Sequence, residues 1–223
     1  FRDAGDYATA SALFAEYIRN YPRSPQRAEA RLMLARAYRL NGRCDLAVAA
    51  YEQFYLEHAD HLSTADARRE RAGCLAEQGQ ILPAARAYEE VQRRFSASDF
   101  APATLLAAAA NYTQGQDLRQ AVAGYGRLLA DYPTAAQIHP ARYRLARLRF
   151  AAGRAEEAQQ LLGQIITAAQ ARNTFSRPDR DRIATKPAIA TGLFIAKRGP
   201  EWLDRVWRET IGYTFSPPTR LSP

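Results

Sequence analysis

Small and large apolar side chains recur along the chain at intervals of 37 residues. One series consists of alanines, and a large apolar or aromatic residue follows each alanine after four residues and again after seven. Positions separated in this way lie on one face of an α-helix. The pattern therefore predicts five helices of one kind, with the alanines Ala10, Ala47, Ala84, Ala121 and Ala158, the middle positions Phe14, Tyr51, Tyr88, Tyr125 and Leu162, and the last positions Tyr17, Phe54, Val91, Leu128 and Ile165.

Another helix is predicted before each of the later ones, because a second alanine series keeps the same period at Ala35, Ala72, Ala109 and Ala146. Alanine allows two helix backbones to approach closely where they cross. A glycine between two helices ends the first, since it adopts a left-handed conformation without steric cost. The turn glycines predicted in this way are Gly5, Gly42, Gly79, Gly115 and Gly153. A single helix pair would leave apolar faces exposed, so stacked pairs are expected.

Small, aromatic and glycine-turn positions in successive helix pairs resemble those of tetratricopeptide repeats, although those repeats usually have a period of about 34 residues. The longer period, together with the Tyr-Pro-x-Ser-Pro segment at residues 21–25, resembles bacterial envelope repeat proteins of the BamD and Tol-Pal coordinator type. This resemblance implies an all-α fold, a right-handed α-solenoid of about four and a half repeats. We expect the solenoid to cover residues 1–171.

Residues 172–223 break the period and are expected to form a C-terminal helical cap with a proline-rich tail. A helix interrupted near Pro187 is predicted over residues 179–198, and another helix is predicted over residues 200–211, where Trp202 and Trp207 share a face. A solenoid needs atypical end units, which favours a capping role for this segment. Two tryptophans on a short helix also suit a partner-binding surface, so a docking role stays open.

The net charge of +8 and the pI of about 9.8 raise the question of nucleic-acid binding. Nearly all of the positive charge is arginine, and the arginines are spread over every helix pair. Dispersed charge is typical of a solvated surface, so nucleic acid is not the expected partner. No apolar run reaches the roughly 18 residues that a bilayer-spanning helix requires, so no transmembrane segment is expected.

The ends of the sequence resemble those of a fragment or a processed chain. There is no initial methionine, and residues 1–4 read as the last turn of a helix that Gly5 would end. Targeting information would then lie outside the sequence.

Motifs of known catalytic chemistry were not found. The sequence contains no glycine-rich phosphate loop, no Gly-x-Ser-x-Gly, no metalloprotease motif and no Cys-x-x-Cys. His58 and His61 have a spacing that suits two metal ligands, but no acidic or thiol residue accompanies them at ligand spacing, and His58 occupies an aromatic packing position. The chain is therefore expected to be no enzyme and to bind no cofactor or metal.

Two cysteines are predicted to meet across neighbouring helices. Cys44 begins the second helix of one pair, and Cys74 lies near the end of the first helix of the next pair. Adjacent antiparallel helices would bring them towards disulfide range, with about 5.5 Å between α-carbons. A disulfide and a pair of buried reduced thiols are both open.

The resemblance also implies a concave face lined by the first helix of each pair. The partner-binding residues that it assigns there are Glu29, Leu32, Met33, Arg36, Arg39, Arg69, Glu70, Leu106, Tyr143, Arg147 and Phe150. Arginines with a few apolar neighbours suit an acidic or extended protein segment. The carboxylate clamp of chaperone-binding repeats is not matched, because Arg36 and Ala110 occupy positions where that clamp uses asparagine.

The function expected from these observations is a non-catalytic protein–protein interaction scaffold. By resemblance it would be a subunit of a bacterial envelope or membrane-associated complex, with a periplasmic or membrane-associated location. The alternative is the repeat arm of a larger enzyme, such as a peptidoglycan lytic transglycosylase. An RNA-binding helical repeat is a third hypothesis, and it would require affinity that falls steeply with salt.

Overall fold

The computed structural model describes residues 4–171, and all of the regular structure in this range is helical. The chain contains nine helices there: α1 (Ala4–Asn20), α2 (Arg27–Leu40), α3 (Cys44–Glu57), α4 (Thr64–Glu77), α5 (Ile81–Arg94), α6 (Ala101–Gln114), α7 (Leu118–Asp131), α8 (Ile138–Ala151) and α9 (Ala155–Ala171). The predicted all-α class is confirmed.

The chain divides into two compact units, residues 1–137 and 138–223. The first unit contains α1 to α7, and each of these helices packs against the next one in sequence. In the second unit, the described residues form α8 and α9, which pack against each other. The domain boundary predicted at residue 171 stays a prediction, since residues 172–223, with Trp202, Trp207 and the predicted cap, lie outside the described residues.

Alanines occupy the close helix crossings, as the periodic pattern predicted. Both alanine series are buried, and most of their members have no exposed surface: Ala35, Ala47, Ala72, Ala84, Ala109, Ala121 and Ala146. Most of the larger series positions are also buried, with Tyr51 and Phe54 completely buried in one cluster together with Leu32 and Cys74. The partly buried members are Phe14, Tyr17, Tyr88 and Leu162. Burial of these apolar side chains is the main favourable contribution to folding.

The turns between paired helices have one geometry. Gly42, Gly79 and Gly153 have φ angles of +73°, +76° and +76°. A backbone hydrogen bond closes each turn from the residue after the glycine, for example Arg43 N–H to the Tyr38 carbonyl at 2.9 Å. This bond and the left-handed residue together form the Schellman motif.

Gly5 is not a turn glycine, and Gly115 ends its helix without the left-handed conformation that was predicted for it. Gly5 lies inside α1 and ends no helix. Gly115 has an ordinary φ of −77°, and the left-handed residue of that turn is Gln116 at +62°. Gln116 lies 37 residues after Gly79 and 37 before Gly153, so the period holds while the residue type does not. Gly115 also packs closely, because a Cβ there would lie 2.5 Å from Leu82 Cδ2 and the Leu82 side chain would have to shift.

Among the described residues, no helix combines the length and the apolar character that a membrane crossing requires.

Candidate protein-binding face

The first helices α2 and α4 carry most of the residues predicted to contact a partner, and ion pairs link these two helices. Arg36 of α2 donates from Nε to both carboxylate oxygens of Glu70 in α4, at 3.2 and 3.0 Å, and from a terminal nitrogen at 3.0 Å. The buried Tyr51 hydroxyl of α3 donates to the same carboxylate at 2.7 Å. Glu70 is therefore bonded from two directions and only 13% of its side chain is exposed.

The environment of this network raises the pKa values of Arg36 and Tyr51. The hydrogen bond to Glu70 is the main cause that raises the pKa of Arg36. Burial, followed by the hydrogen bond to Glu70, raises the pKa of Tyr51 well above its usual range. Both groups thus keep the charge state in which they donate to the carboxylate. We infer that Arg36 and Glu70 hold α2 against α4 and are largely occupied by each other.

Leu32, which the resemblance assigned to the partner-binding face, lies instead in the core. It is 0% exposed and packs in the cluster around Tyr51 and Phe54, with Met33 partly buried against it. A partner has no access to a fully buried side chain, so the assignment of Leu32 is corrected. The reason is that its helix turns this position towards α3 and α4, where the large apolar series is buried.

The remaining predicted residues differ in their exposure. Glu29 is exposed, and Leu106 of α6 is partly buried. In the second unit Arg147 is exposed, Phe150 is partly buried and Tyr143 is buried. The structure places Tyr143, Arg147 and Phe150 on α8, and their role in binding stays a prediction.

Arg39 and Arg69 have the most exposed arginine side chains of α2 and α4. Arg39 donates to Glu77 at 3.2 Å, and Arg69 donates to Asp66 at 2.9 Å. Their side chains are 38% and 39% exposed, and their carboxylate partners are more exposed than they are. Exposed pairs of this kind contribute only about 0–1 kcal/mol, so a partner can compete for these guanidinium groups.

Tyr88 and Gly73 lie beside these arginines, although neither residue was predicted from the sequence to contact a partner. Tyr88 of α5 holds the same repeat position as Tyr51 and Tyr125. The hydroxyl of Tyr125 lies 3.3 Å from Thr113 Oγ1, but that of Tyr88 has no hydrogen bond to any described residue. A Cβ at Gly73 would lie 3.2 Å from the Tyr88 oxygen, which places this hydroxyl directly beside α4.

Charged side chains surround the Tyr88 hydroxyl. Burial raises the pKa of Tyr88, while the positive charges of Arg39 and Arg69 act in the opposite direction. We define the α2–α4 face as Arg39, Arg69, Gly73 and the Tyr88 hydroxyl. A glycine in the middle of a helix, at the repeat position of Arg36, was the sequence signal that could have indicated this close approach.

The two cysteines come together, as predicted, and both are free thiols in the structure. The Cys44 thiol donates to Glu77 Oε2 at 3.0 Å. Burial raises the pKa of both thiols, and the hydrogen bond to Glu77 raises that of Cys44 further. Of the two alternatives that the sequence left open, the structure has the pair of buried reduced thiols and not the disulfide. The sequence did not identify Glu77 as the third member of this group.

His58 packs against an aromatic ring, as expected, and His61 packs against the same ring. The ring centroids of His58 and His61 lie 5.8 and 5.2 Å from that of Phe54. Burial lowers the pKa of His58, which favours its neutral form. His61 Nδ1 accepts a hydrogen bond from the Ser63 backbone at 3.1 Å.

Family models described as tetratricopeptide repeat match residues 1–60 and 32–99, and also 103–135 and 140–176. A search of curated proteins found no significant match. Several solved structures share the fold. A crystal structure of the nearly identical tetratricopeptide-like repeats of a putative kinesin light chain from Podosopora anserina has 25% identity and a TM-score of 0.58, covering 77% of this chain and 90% of that one.

Two further structures are similar at lower identity. MamA has 13% identity and a TM-score of 0.60, covering 77% of this chain and 93% of that one. BtubC (BKLC) from P. vanneervenii has 17% identity and a TM-score of 0.57, covering 97% of this chain and 95% of that one. At these identities the likeness shows the fold alone.

The repeat matches extend over most of the chain and agree with the helix pairs of the structure. Proteins built from these repeats are generally non-catalytic scaffolds, and the repeats indicate that this chain binds protein partners. The chain belongs to the tetratricopeptide repeat family.

Proposed function

We propose that the chain is a non-catalytic scaffold that holds a protein partner within a bacterial envelope or membrane-associated complex. An acidic, extended segment of that partner would bind the α2–α4 face. The observation that carries this proposal is the position of two accessible guanidinium groups, those of Arg39 and Arg69, beside a hydroxyl without an internal hydrogen bond.

The geometry supports carboxylates as the groups that this face binds. A guanidinium has five N–H donors, and the pairs with Glu77 and Asp66 each use a single terminal nitrogen. Arg69 Nε is buried, so the remaining donors that suit a partner's carboxylates there are those of the terminal nitrogens, through which arginine can form two parallel hydrogen bonds. The Tyr88 hydroxyl adds one more polar group, and Gly73 presents no side chain that would keep a partner's backbone away from α4.

The envelope location rests on sequence resemblance. The 37-residue period and the Tyr-Pro-x-Ser-Pro segment at residues 21–25 are the features shared with envelope repeat proteins of the BamD and Tol-Pal coordinator type. The expected location of the chain is accordingly the periplasm or a membrane-associated complex.

The test is affinity capture from separate envelope and soluble extracts of the source cells, with mass spectrometry of the proteins recovered. The face variant replaces both Arg39 and Arg69 by glutamine. The control variant makes the same change at Arg93 and Arg119, which are exposed arginines of the second helices α5 and α7. The wild type and the control should recover one stoichiometric partner from the envelope extract, and the face variant should lose it.

Binding should also weaken as salt increases, because screening acts on exposed charges. Capture that is equal for the face variant and the wild type would contradict the assigned surface. Recovery from the soluble extract alone would contradict the envelope location. If the full reading frame continues into a catalytic domain, the chain would be the repeat arm of a larger enzyme, and the proposal of a non-catalytic scaffold would be wrong.

A further inference from the structure

A group of three metal-ligand residues lies between α3 and α4, next to Arg39 of the α2–α4 face. Cys44 is the first residue of α3, and Cys74 and Glu77 lie one turn apart on the same side of α4. Their two sulfurs and a carboxylate oxygen lie within 4.8 Å of one another. Among the described residues, no other group of three or more such side chains meets this condition.

We propose that Cys44, Cys74 and Glu77 form a binding site for a thiophilic divalent cation, and that zinc is the ion that suits it. Thiolate and carboxylate are both ordinary zinc ligands, with Zn–S distances of about 2.3 Å and Zn–O distances of about 2.0–2.2 Å. Around a tetrahedral ion such ligands are separated by roughly 3.4–3.8 Å. A closure of about 1 Å, which side-chain rotation supplies, brings the observed group to that separation.

Access and coordination number follow from the burial of the three side chains. Both cysteines are buried, whereas Glu77 is exposed at the end of its helix. An ion can therefore enter along Glu77 and reach the sulfurs from the solvent side. The protein supplies three ligands, so the fourth position of the ion is open to water or to a group from outside the chain. Binding transfers the two thiol protons to the buffer as the sulfurs become thiolates.

Arg39 is the competitor of the ion. It donates to Glu77 at 3.2 Å and carries a positive charge beside the site. Because this pair is exposed on both sides, its contribution is small and a dication can displace it. Loss of the Arg39 charge should therefore tighten metal binding.

Zinc bound here would connect neighbouring repeats, because Cys44 belongs to α3 and the other two ligands belong to α4. The unfolded chain lacks this arrangement of ligands, and an ion that binds only the folded state raises stability. Zinc is thus expected to raise the melting temperature of the reduced protein.

The first measurement is a titration of the reduced, metal-free chain with Co²⁺ as a spectroscopic probe, followed by displacement with Zn²⁺. Thiolate-to-cobalt charge-transfer absorption should saturate at one ion per chain, and zinc should remove it. Folded protein without this absorption would overturn the proposal. Equal Co²⁺ affinity of the urea-unfolded chain would also overturn the proposal, because metal binding would then not depend on the folded structure.

Variants of Glu77 and of a control residue test whether the Glu77 carboxylate is a metal ligand. Glu77→Gln should weaken zinc affinity by at least about tenfold, the loss that follows even from removal of an outer partner of a metal ligand. The matched control is Glu57→Gln, which also removes an ion-paired carboxylate from the last residue of a helix. Glu57→Gln should leave zinc affinity unchanged, and Arg39→Gln should increase it. Equal affinities of the Glu77 and Glu57 variants would exclude the carboxylate as a ligand.

Discussion

Gln116 occupies a backbone conformation that favours glycine. Its φ of +62° matches those of Gly42, Gly79 and Gly153 at the same turn position of the other repeats. A side chain in this region costs roughly 1–2 kcal/mol, because its Cβ approaches the following carbonyl. The Schellman hydrogen bond from Asp117 N–H to the Tyr112 carbonyl, at 2.9 Å, is still formed. The turn is therefore maintained at a local cost.

Gln116→Gly should stabilise the protein by about 1 kcal/mol. The gain is the relief of the left-handed strain, less the greater backbone entropy that glycine loses on folding. Gly79→Gln is the reciprocal change, and it should destabilise by a similar amount, since a Cβ at Gly79 meets no atom within 4 Å and the penalty is conformational alone. Urea unfolding of both variants measures the two differences. A Gln116→Gly variant that is less stable than the wild type would contradict the claim that the backbone of Gln116 is strained.

Tyr112 shows how burial of one hydroxyl connects stability to pH. Its hydroxyl donates to Glu89 Oε2 at 2.7 Å, and burial, followed by this hydrogen bond, raises its pKa from 10.0 to about 12. The folded state therefore holds this proton more tightly than the unfolded state does. The stabilisation is complete below about pH 10 and is lost as the pH rises from 10 towards 12.

Tyr112→Phe should be less stable than the wild type at pH 8, by about 1.5–3 kcal/mol for a hydrogen bond to a charged group. Between pH 10 and 12 the difference should shrink by about 2 kcal/mol, because only the wild type loses the contribution of the raised pKa. Urea unfolding across this pH range measures the change. Curves that stay parallel would show that Tyr112 does not titrate in this way.

At the scale of helices, carboxylates on one helix join the helices around it. Glu70 of α4 accepts from Arg36 of α2 and from Tyr51 of α3, so one side chain connects three helices. Glu89 of α5 similarly accepts from Tyr112 of α6 and pairs with Arg127 of α7. These connections add directional contacts to helix crossings that alanine makes close but not specific.

Glu70→Gln should destabilise the protein by about 2–4 kcal/mol, because it leaves the Arg36 charge without its partner and weakens the hydrogen bond of a buried hydroxyl. The control is Asp45→Asn, which removes the carboxylate of an exposed pair with Arg43 and should change stability by less than about 0.5 kcal/mol. Chemical denaturation gives both values. Similar small effects at the two positions would mean that the three-helix connection contributes little.

At the scale of the whole molecule, the chain forms two compact units with a division at residues 137 and 138. In repeat proteins each repeat contacts mainly the repeats next to it in sequence, so stability is approximately a sum of local contributions. Helices α1 to α7 satisfy this description within the first unit, because each packs on the next.

A chain that ends at Gln137 should therefore fold without the second unit. It should keep a helical circular-dichroism spectrum and unfold cooperatively in urea, with a denaturant slope smaller than that of the full chain because less surface is exposed on unfolding. A chain that ends at Ala107, inside α6, is the control, and it should be much less stable because it exposes the face of α5 that α6 covers. An unfolded 1–137 fragment would contradict the division into units.

The fold and the candidate site were not equally predictable. The repeat period predicted the helix pairs and the buried alanines, because the spacing of residues along one helix determines which of them share a face. The binding face was predicted only in part: Arg39 and Arg69 are accessible, whereas Leu32 is buried in the core. The missing information was the rotation of each helix about its axis.

Periodicity along the chain is sufficient to predict an all-α fold of paired helices with a 37-residue period, together with the alanines and most of the large apolar positions that form the core. Three contacts could be found only from the packing of the helices: the Tyr88 hydroxyl lies beside Gly73, Glu70 joins three helices, and Glu77 completes a group with Cys44 and Cys74. Local periodicity fixes which residues share a helix face. Contacts between polar side chains of different helices depend on the angle, depth and register at which those helices cross.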